Sequence, residues 1–208
     1  MTNYNCRPFI ISIVIAVMCF LATACGTTQP SHFYMLNSMA DDNKGEPASG
    51  QTGKLHIGLG PVTLPKYLDR SPIVLRGSST EVIIDDLHRW AEPLEDNFIR
   101  VLAENLYAEL DGAQISLHPW RDWKGIDYQI VITVYRFDSD TTGNITLSSN
   151  WSIVGAADEQ TLYAQKSVIK ESALSSDYPA LVNGQSKATQ QLSREIAAKL
   201  KDFVAHGK

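Results

Sequence analysis

The chain has 208 residues, enough for one domain with a sizeable core and short for two. Its formal net charge is −5 and it contains no basic run, which removes charge-driven binding to nucleic acid or to an anionic lipid surface. Three cysteines, at 6, 19 and 25, are too few and too N-terminal for a disulfide framework in the folded part.

Arg7 is the only charged side chain before residue 41, and Phe9–Leu21 is apolar apart from Ser12. That length suits the hydrophobic region of a secretion signal; a spanning helix needs about 20 apolar residues. Small residues follow, Ala22-Thr23-Ala24, then Cys25 and the polar segment Gly26-Thr27-Thr28-Gln29-Pro30. The pattern resembles a bacterial lipobox in which Ala22 stands where leucine is usual and Leu21 sits one place too early. An ordinary cleaved signal ending at Ala24 and an uncleaved anchor fit the same residues. A cysteine at the first mature position favours lipidation at Cys25, with residues 1–24 removed. Removal takes away Arg7, leaves Cys25 as the sole cysteine, and moves the formal charge from −5 to −6. Residue 26 is Gly and not Asp, so the expected address is the outer membrane, periplasmic face. Acyl chains such as palmitate, at about 0.8 kcal/mol per buried methylene, would make that anchor permanent.

In the mature chain, residues 25–53 read as lipidated N-terminus, tether, a short strand at 33–37 and a polar loop over Ser38–Gly53. Residues 54–208 read as the globular part. Leu55–Val62 alternates as a strand stopping at Pro61, and Pro65–Pro72 is a proline-framed loop. Ile73–Arg76 and Glu81–Asp85 form a hairpin around Gly77–Thr80. A helix starts near Glu92-Pro93, its stripe Leu94, Phe98, Val101, Leu102, Leu106 and Leu110, with Gly112 as the stop. Gln114–Leu117 is the next strand. Tyr128–Phe137 is apolar on both alternating faces and reads as a central strand covered on both sides, with Val131, Tyr135 and Phe137 sharing one face. Ile145–Val154 and Thr161–Lys170 complete an antiparallel meander. A long helix after Asp177 closes the chain, its stripe running from Leu181 and Val182 to Phe203 and Val204. The class is α+β: a single domain with a mixed, mostly antiparallel sheet and two main helices packed on it.

No nucleophile elbow, zinc-protease motif, phosphate loop or Cys-x-x-Cys is present, and Gly58-Leu59-Gly60 runs into Pro61. The five histidines (32, 56, 88, 118, 206) lack metal-ligand spacing, so neither a cofactor nor a metal is expected. His88 beside Asp85 and Asp86 is the nearest approach to an acid/base cluster, and a polar strand end explains it as well. Two glycosylation-type sequons, at Asn144 and Asn150, fall on an expected strand. Trp90, Trp120 and Trp123 fit either packing or a binding surface.

Several stretches together resemble one family, the PqiC/YmbA-like auxiliary lipoproteins of ABC-type transporters. They are Phe33-Tyr34-Met35-Leu36; Ile57–Val62 continuing into Thr63-Leu64-Pro65-Lys66-Tyr67-Leu68-Asp69-Arg70; Arg89-Trp90-Ala91-Glu92-Pro93-Leu94; Val101–Leu106; Tyr178–Val182; and Leu192–Ala197. The resemblance implies a non-enzymatic, outer-membrane-anchored subunit of an MCE-type lipid transport system that supports envelope integrity. Its implied partners are a periplasm-spanning MCE-domain protein (PqiB-like), that protein's inner-membrane subunit, and further copies of the chain in a homo-oligomer. Leu64, Pro65, Tyr67, Leu68, Asp69, Arg70 and Trp90 are the candidate docking residues. For Tyr67 and Arg70, an equal alternative is packing into the core and capping a neighbouring helix. A stand-alone lipoprotein holding a lipid or peptide ligand is the competing function.

Overall fold

The computed structural model describes residues 29–39, 55–120 and 124–206. Contacts divide the chain after Pro30, and the fold below is that of Ser31–Lys208. The expected signal, Cys25 and most of the polar loop lie outside the described residues.

The chain forms β1 (His32–Tyr34), β2 (His56–Thr63), β3 (Pro72–Arg76), β4 (Val82–Trp90) and helix α1 (Leu94–Glu109). Then follow β5 (Gln114–Leu117), β6 (Tyr128–Asp140), β7 (Asn144–Gly155), β8 (Thr161–Ser172) and helix α2 (Tyr178–His206). Eight strands make one mixed sheet, so the α+β architecture expected from the sequence is the one formed. The antiparallel ladders β6–β7 and β7–β8 are its longest and β3–β4 is antiparallel as well; β1–β4, β2–β5, β2–β6 and β3–β6 are parallel.

β6 organises the sheet. It pairs with β7 from Tyr128 to Ser139, interrupted by one bulge, while its other edge takes β2 at Tyr128–Thr133 and β3 only at Ser139 and Asp140. The sheet therefore forks beside Val134–Asp138, and the β2–β3 loop fills the fork.

β1 is shorter than the strand expected at 33–37 and β4 runs past Asp85 to Trp90, while two further strands depart from the sequence expectation through a bulge. β2 runs through Pro61 to Thr63, with its register shifting between Leu59 and Val62. Gly60 lies there at φ 122°, and a Cβ on it would stand 2.6 Å from the His118 Cβ. β6 is not covered on both sides: Tyr135 is 54% exposed and Thr133 is exposed. Its bulge between Val134 and Arg136 changes the phase, so fully buried Phe137 joins Ile130, Ile132 and Val134 on the helix-covered face. Phe137 meets Phe98 of α1 edge-on, with ring centroids 5.2 Å apart.

The helices bury that face. The six α1 stripe residues from Leu94 to Leu110 are all buried, and Gly112, at φ 85°, follows the helix end. α2 packs on α1 and on β6, β7 and β8. Gly184 allows this approach, since a Cβ there would collide with the Ile145 Cδ1 atom. The α2 stripe ends sooner than expected: Phe203 is half-buried and Val204 is 52% exposed. Buried Ser186, Thr189 and Ser193 turn their hydroxyls onto carbonyls one turn back. The N-terminal segment after β1 is stitched to both helices. Asn97 and Asn105 of α1 accept from the Leu36 and Met39 amides (both 2.7 Å), and Ser186 of α2 accepts from the Asn37 amide (3.0 Å).

Candidate functional site

β2 leaves the sheet at Thr63, and the proline-framed segment that follows includes a single 3-10 turn, Lys66–Leu68. Pro65 holds the extended conformation before the turn (φ −61°, ψ 139°), and the Leu68 amide bonds the Pro65 carbonyl at 2.9 Å. The end of β4 lies alongside, its Trp90 amide donating to Ser71 at 2.8 Å. α1 then starts at Leu94 after Pro93, with Glu95 and Asp96 favouring its N-terminal dipole. Glu95 also accepts from the Leu64 amide at 3.1 Å, tying loop to helix.

These pieces enclose a cleft of about 460 Å³, lined by residues 64–66, 68–71 and 90–96. Six of the seven candidate residues line it: Leu64, Pro65, Leu68, Asp69, Arg70 and Trp90. Two sequence stretches about twenty residues apart thus meet as the two walls of one groove. Leu68, Trp90 and Leu94 are buried and form its floor. The rim is charged: Lys66, Asp69, Arg70, Glu92, Glu95 and Asp96. Lys66 and Asp69 approach at 3.8 Å with both side chains largely exposed, an arrangement of little energetic weight. Glu92 is fixed by Arg100 at 2.7 Å, which also reaches Glu104 at 3.2 Å. Asp69 and Arg70 remain exposed.

The seventh candidate, Tyr67, turns inward. Its hydroxyl donates to Asp138 of β6 at 2.8 Å. Asp138 is fully buried and also accepts from Arg76 (Nη2 at 2.7 Å, Nε at 3.1 Å) and from Arg136 Nε at 2.7 Å. Burial, and then the Asp138 charge, push the Tyr67 hydroxyl up to about 12, so it stays a donor throughout the physiological range. The Asp138 hydrogen bond raises the Arg76 guanidinium further above its ordinary value. This network pins the loop into the fork of the sheet. Reading the sequence for docking residues missed Asp138, Arg76 and Arg136; an aspartate two places after arginine in an otherwise apolar strand was the available signal.

The remaining sequence candidates fall elsewhere. His88 Nδ1 lies 2.9 Å from Asp85, the Tyr178 hydroxyl donates to the same carboxylate at 2.9 Å, and the His88 and Tyr178 rings stack at 3.8 Å. The cluster joins β4 to the start of α2. Trp120 packs over Gly58, and Trp123 lies outside the described residues. Among the described residues, no group of three or more His, Cys, Asp or Glu is placed to hold a metal.

A family model described as the ABC-type transport auxiliary lipoprotein component matches residues 34–197. An intermembrane transport lipoprotein, PqiC, of Escherichia coli K12 is 24% identical over 107 residues, 51% of this chain and 56% of that relative. The chain thus aligns with little more than half the length of that protein. A PqiC of Shigella flexneri matches to the same extent. Two crystal structures share the fold. An uncharacterised protein has a TM-score of 0.68 at 19% identity, covering 83% of this chain and 99% of its own. A protein of Xanthomonas campestris has a TM-score of 0.61 at 18% identity, covering 82% and 99%.

Proposed function

The chain belongs to the family of ABC-type transport auxiliary lipoprotein components, and from that premise we propose that it docks, from the outer membrane, onto the periplasm-spanning MCE-domain protein of an intermembrane lipid transport system. The relatives named as intermembrane transport lipoproteins support the transport setting. In this reading Cys25 carries the lipid, the domain stands on the periplasmic face as a homo-oligomer, and its contribution is binding without catalysis.

The observation that carries the docking surface is the convergence of residues 64–71 and 90–96 on one groove. Its floor is apolar, its loop is held by Asp138 from below, and its rim bears six charged side chains. A pre-organised loop loses little conformational freedom on binding. A charged rim around an apolar floor suits a folded protein surface better than an acyl chain, which favours docking over the stand-alone ligand-binding alternative.

The test uses full-length lipidated protein in detergent and the periplasmic part of the co-encoded MCE-domain protein. Arg70 is exposed, so Arg70→Glu leaves the melting temperature unchanged. It should weaken association about tenfold, equivalent to about 1.4 kcal/mol. No association between the unmodified protein and a folded partner would overturn the reading.

A further inference from the structure

We propose that the end of the sheet carrying the β3–β4 hairpin tip and the β8–α2 loop is the surface that the domain lays against the lipid bilayer. The proposal rests on the reading of Cys25 as the lipid-bearing residue, and three independent observations point to this end of the molecule.

Strand direction is the first. β1 runs parallel to β4, with His32 opposite His88 and Tyr34 opposite Trp90. The start of β1 therefore points toward the start of β4, which is the hairpin side. β3 ends at that side, and so does β6, whose Asp140 pairs with Arg76. β7 begins there at Asn144, opposite the last residue of β8, Ser172. The Ala173 amide closes onto the Gly143 carbonyl at 2.8 Å. The hairpin tip, the β6–β7 turn and the β8–α2 loop thus share one end of the sheet.

Exposed apolar surface is the second. Val82, Ile83 and Ile84 are 41%, 40% and 43% exposed, and Leu174 is 96% exposed. An outer strand is normally guarded by charge or covered. β3 pairs with this β-branched run on one edge, but β1 covers the other edge of β4 only from His88 to Trp90 and leaves it open beside Val82–Ile84. Scattered single apolar residues need no explanation, but here Val82 and Ile84 expose one face of the strand and Ile83 the other, so both faces of this end are apolar, and a wholly exposed leucine lies at the same end. The opposite end of the meander, Ala156-Ala157-Asp158-Glu159, carries no large apolar side chain.

Reach is the third. Seven residue steps separate Cys25 from His32, a contour of at most about 25 Å. Six residues of β4 separate His88 from Val82, about 20 Å. A tether leaving β1 toward the hairpin side is thus just long enough to bring an acylated Cys25 level with the tip. In this orientation the charged cleft, at the other end of β4 beside Trp90, stands about 25 Å from the bilayer and faces the periplasm.

Charge opposes any electrostatic form of this contact, because Glu81, Asp140 and Asp177 all lie at this end. The contact is therefore apolar, with Ile83 and Leu174 entering the boundary between headgroups and acyl chains beside zwitterionic lipid.

The full-length, processed, lipidated protein is reconstituted into vesicles of the zwitterionic lipids phosphatidylethanolamine and phosphatidylcholine. Cys6 and Cys19 leave with the signal and Cys25 is acylated, so an introduced cysteine is the sole thiol. Ile83→Cys, Leu174→Cys and Ala157→Cys are each labelled with an environment-sensitive fluorophore, and lipids with brominated acyl chains serve as quenchers. The expected result is quenching at positions 83 and 174 and none at 157. Flotation with the vesicles without quenching at 83 and 174 overturns the orientation and leaves the anchor intact. A blue shift at both positions without bromolipid quenching assigns this end to a second copy of the chain and overturns it likewise. Failure to float, together with a reactive Cys25 thiol, removes the anchor reading and this proposal with it.

Discussion

Asp138 has no solvent exposure, yet four hydrogen bonds from Tyr67, Arg76 and Arg136 converge on its two oxygens. Both arginines keep partial access to water, so the network offsets the desolvation of one carboxylate without burying three charges. Tyr67→Phe removes only the hydroxyl and leaves the ring in place. It should cost about 1.5 kcal/mol, or about 5 °C in melting temperature by calorimetry, with docking affinity falling because the loop loses its pin. Asp140, two residues on, answers to pH. Its burial alone would raise its pKa, but bonds from Asn144 and Thr142 outweigh that and bring it to about 2. A carboxyl lowered in the folded state stabilises fully above its ordinary value, and that stability is lost as pH falls toward the folded value. Denaturant titrations should therefore show a stability loss between about pH 4 and pH 2 that Asp140→Asn flattens.

At the scale of elements, close approach decides more than apolar pattern. Gly184 lies where α2 rests on fully buried Ile145, and any side chain there must displace that contact. A better helix former would contribute up to about 1 kcal/mol, whereas overpacking a filled core costs about 1–3 kcal/mol. Packing wins, and Gly184→Val should lower stability by about 2 kcal/mol in urea unfolding without moving the far-UV spectrum. The elements readable in the sequence were those whose partners are uniform along their length. The α1 stripe, the meander and the strand Gln114–Leu117 follow from periodicity because one face meets one neighbour throughout. β6 was misread past Val134 because a bulge shifts its phase, and β2 because a bulge admits Pro61; a bulge has no apolar signature. The buried face of α2 that carries Ser186, Thr189 and Ser193 was invisible for a related reason. Small hydroxyl side chains satisfied by their own backbone read as solvent-facing, although here they are packed. The cleft was half legible: its two walls stood out as stretches of sequence, but the network beneath Tyr67 depends on the fork in the sheet.

At the scale of the whole molecule, the proposed anchor at Cys25 makes the N-terminal segment the link between membrane and cleft. Whatever holds Cys25 acts on His32–Met39, which pairs with β4 and is stitched by Asn97, Asn105 and Ser186 to both helices. The attachment is thus built into the folded unit, and α1, which it grips, begins at the cleft. Cys25 precedes the folded unit Ser31–Lys208 in sequence. Cys25→Ala should therefore leave the melting temperature within about 1 °C of the unmodified protein. On the proposed reading of Cys25, the same substitution removes the acyl anchor, each buried methylene of which contributes about 0.8 kcal/mol of membrane affinity. The variant should move from the membrane to the soluble fraction, and its ability to restore the envelope barrier in a deletion strain should fall with it. The cleft would remain intact, so purified Cys25→Ala protein should bind the MCE-domain partner with unchanged affinity. Fractionation, a melting curve and a binding isotherm on one preparation separate these outcomes. Full barrier function from the soluble variant at native abundance would show that position at the membrane is not what the anchor contributes.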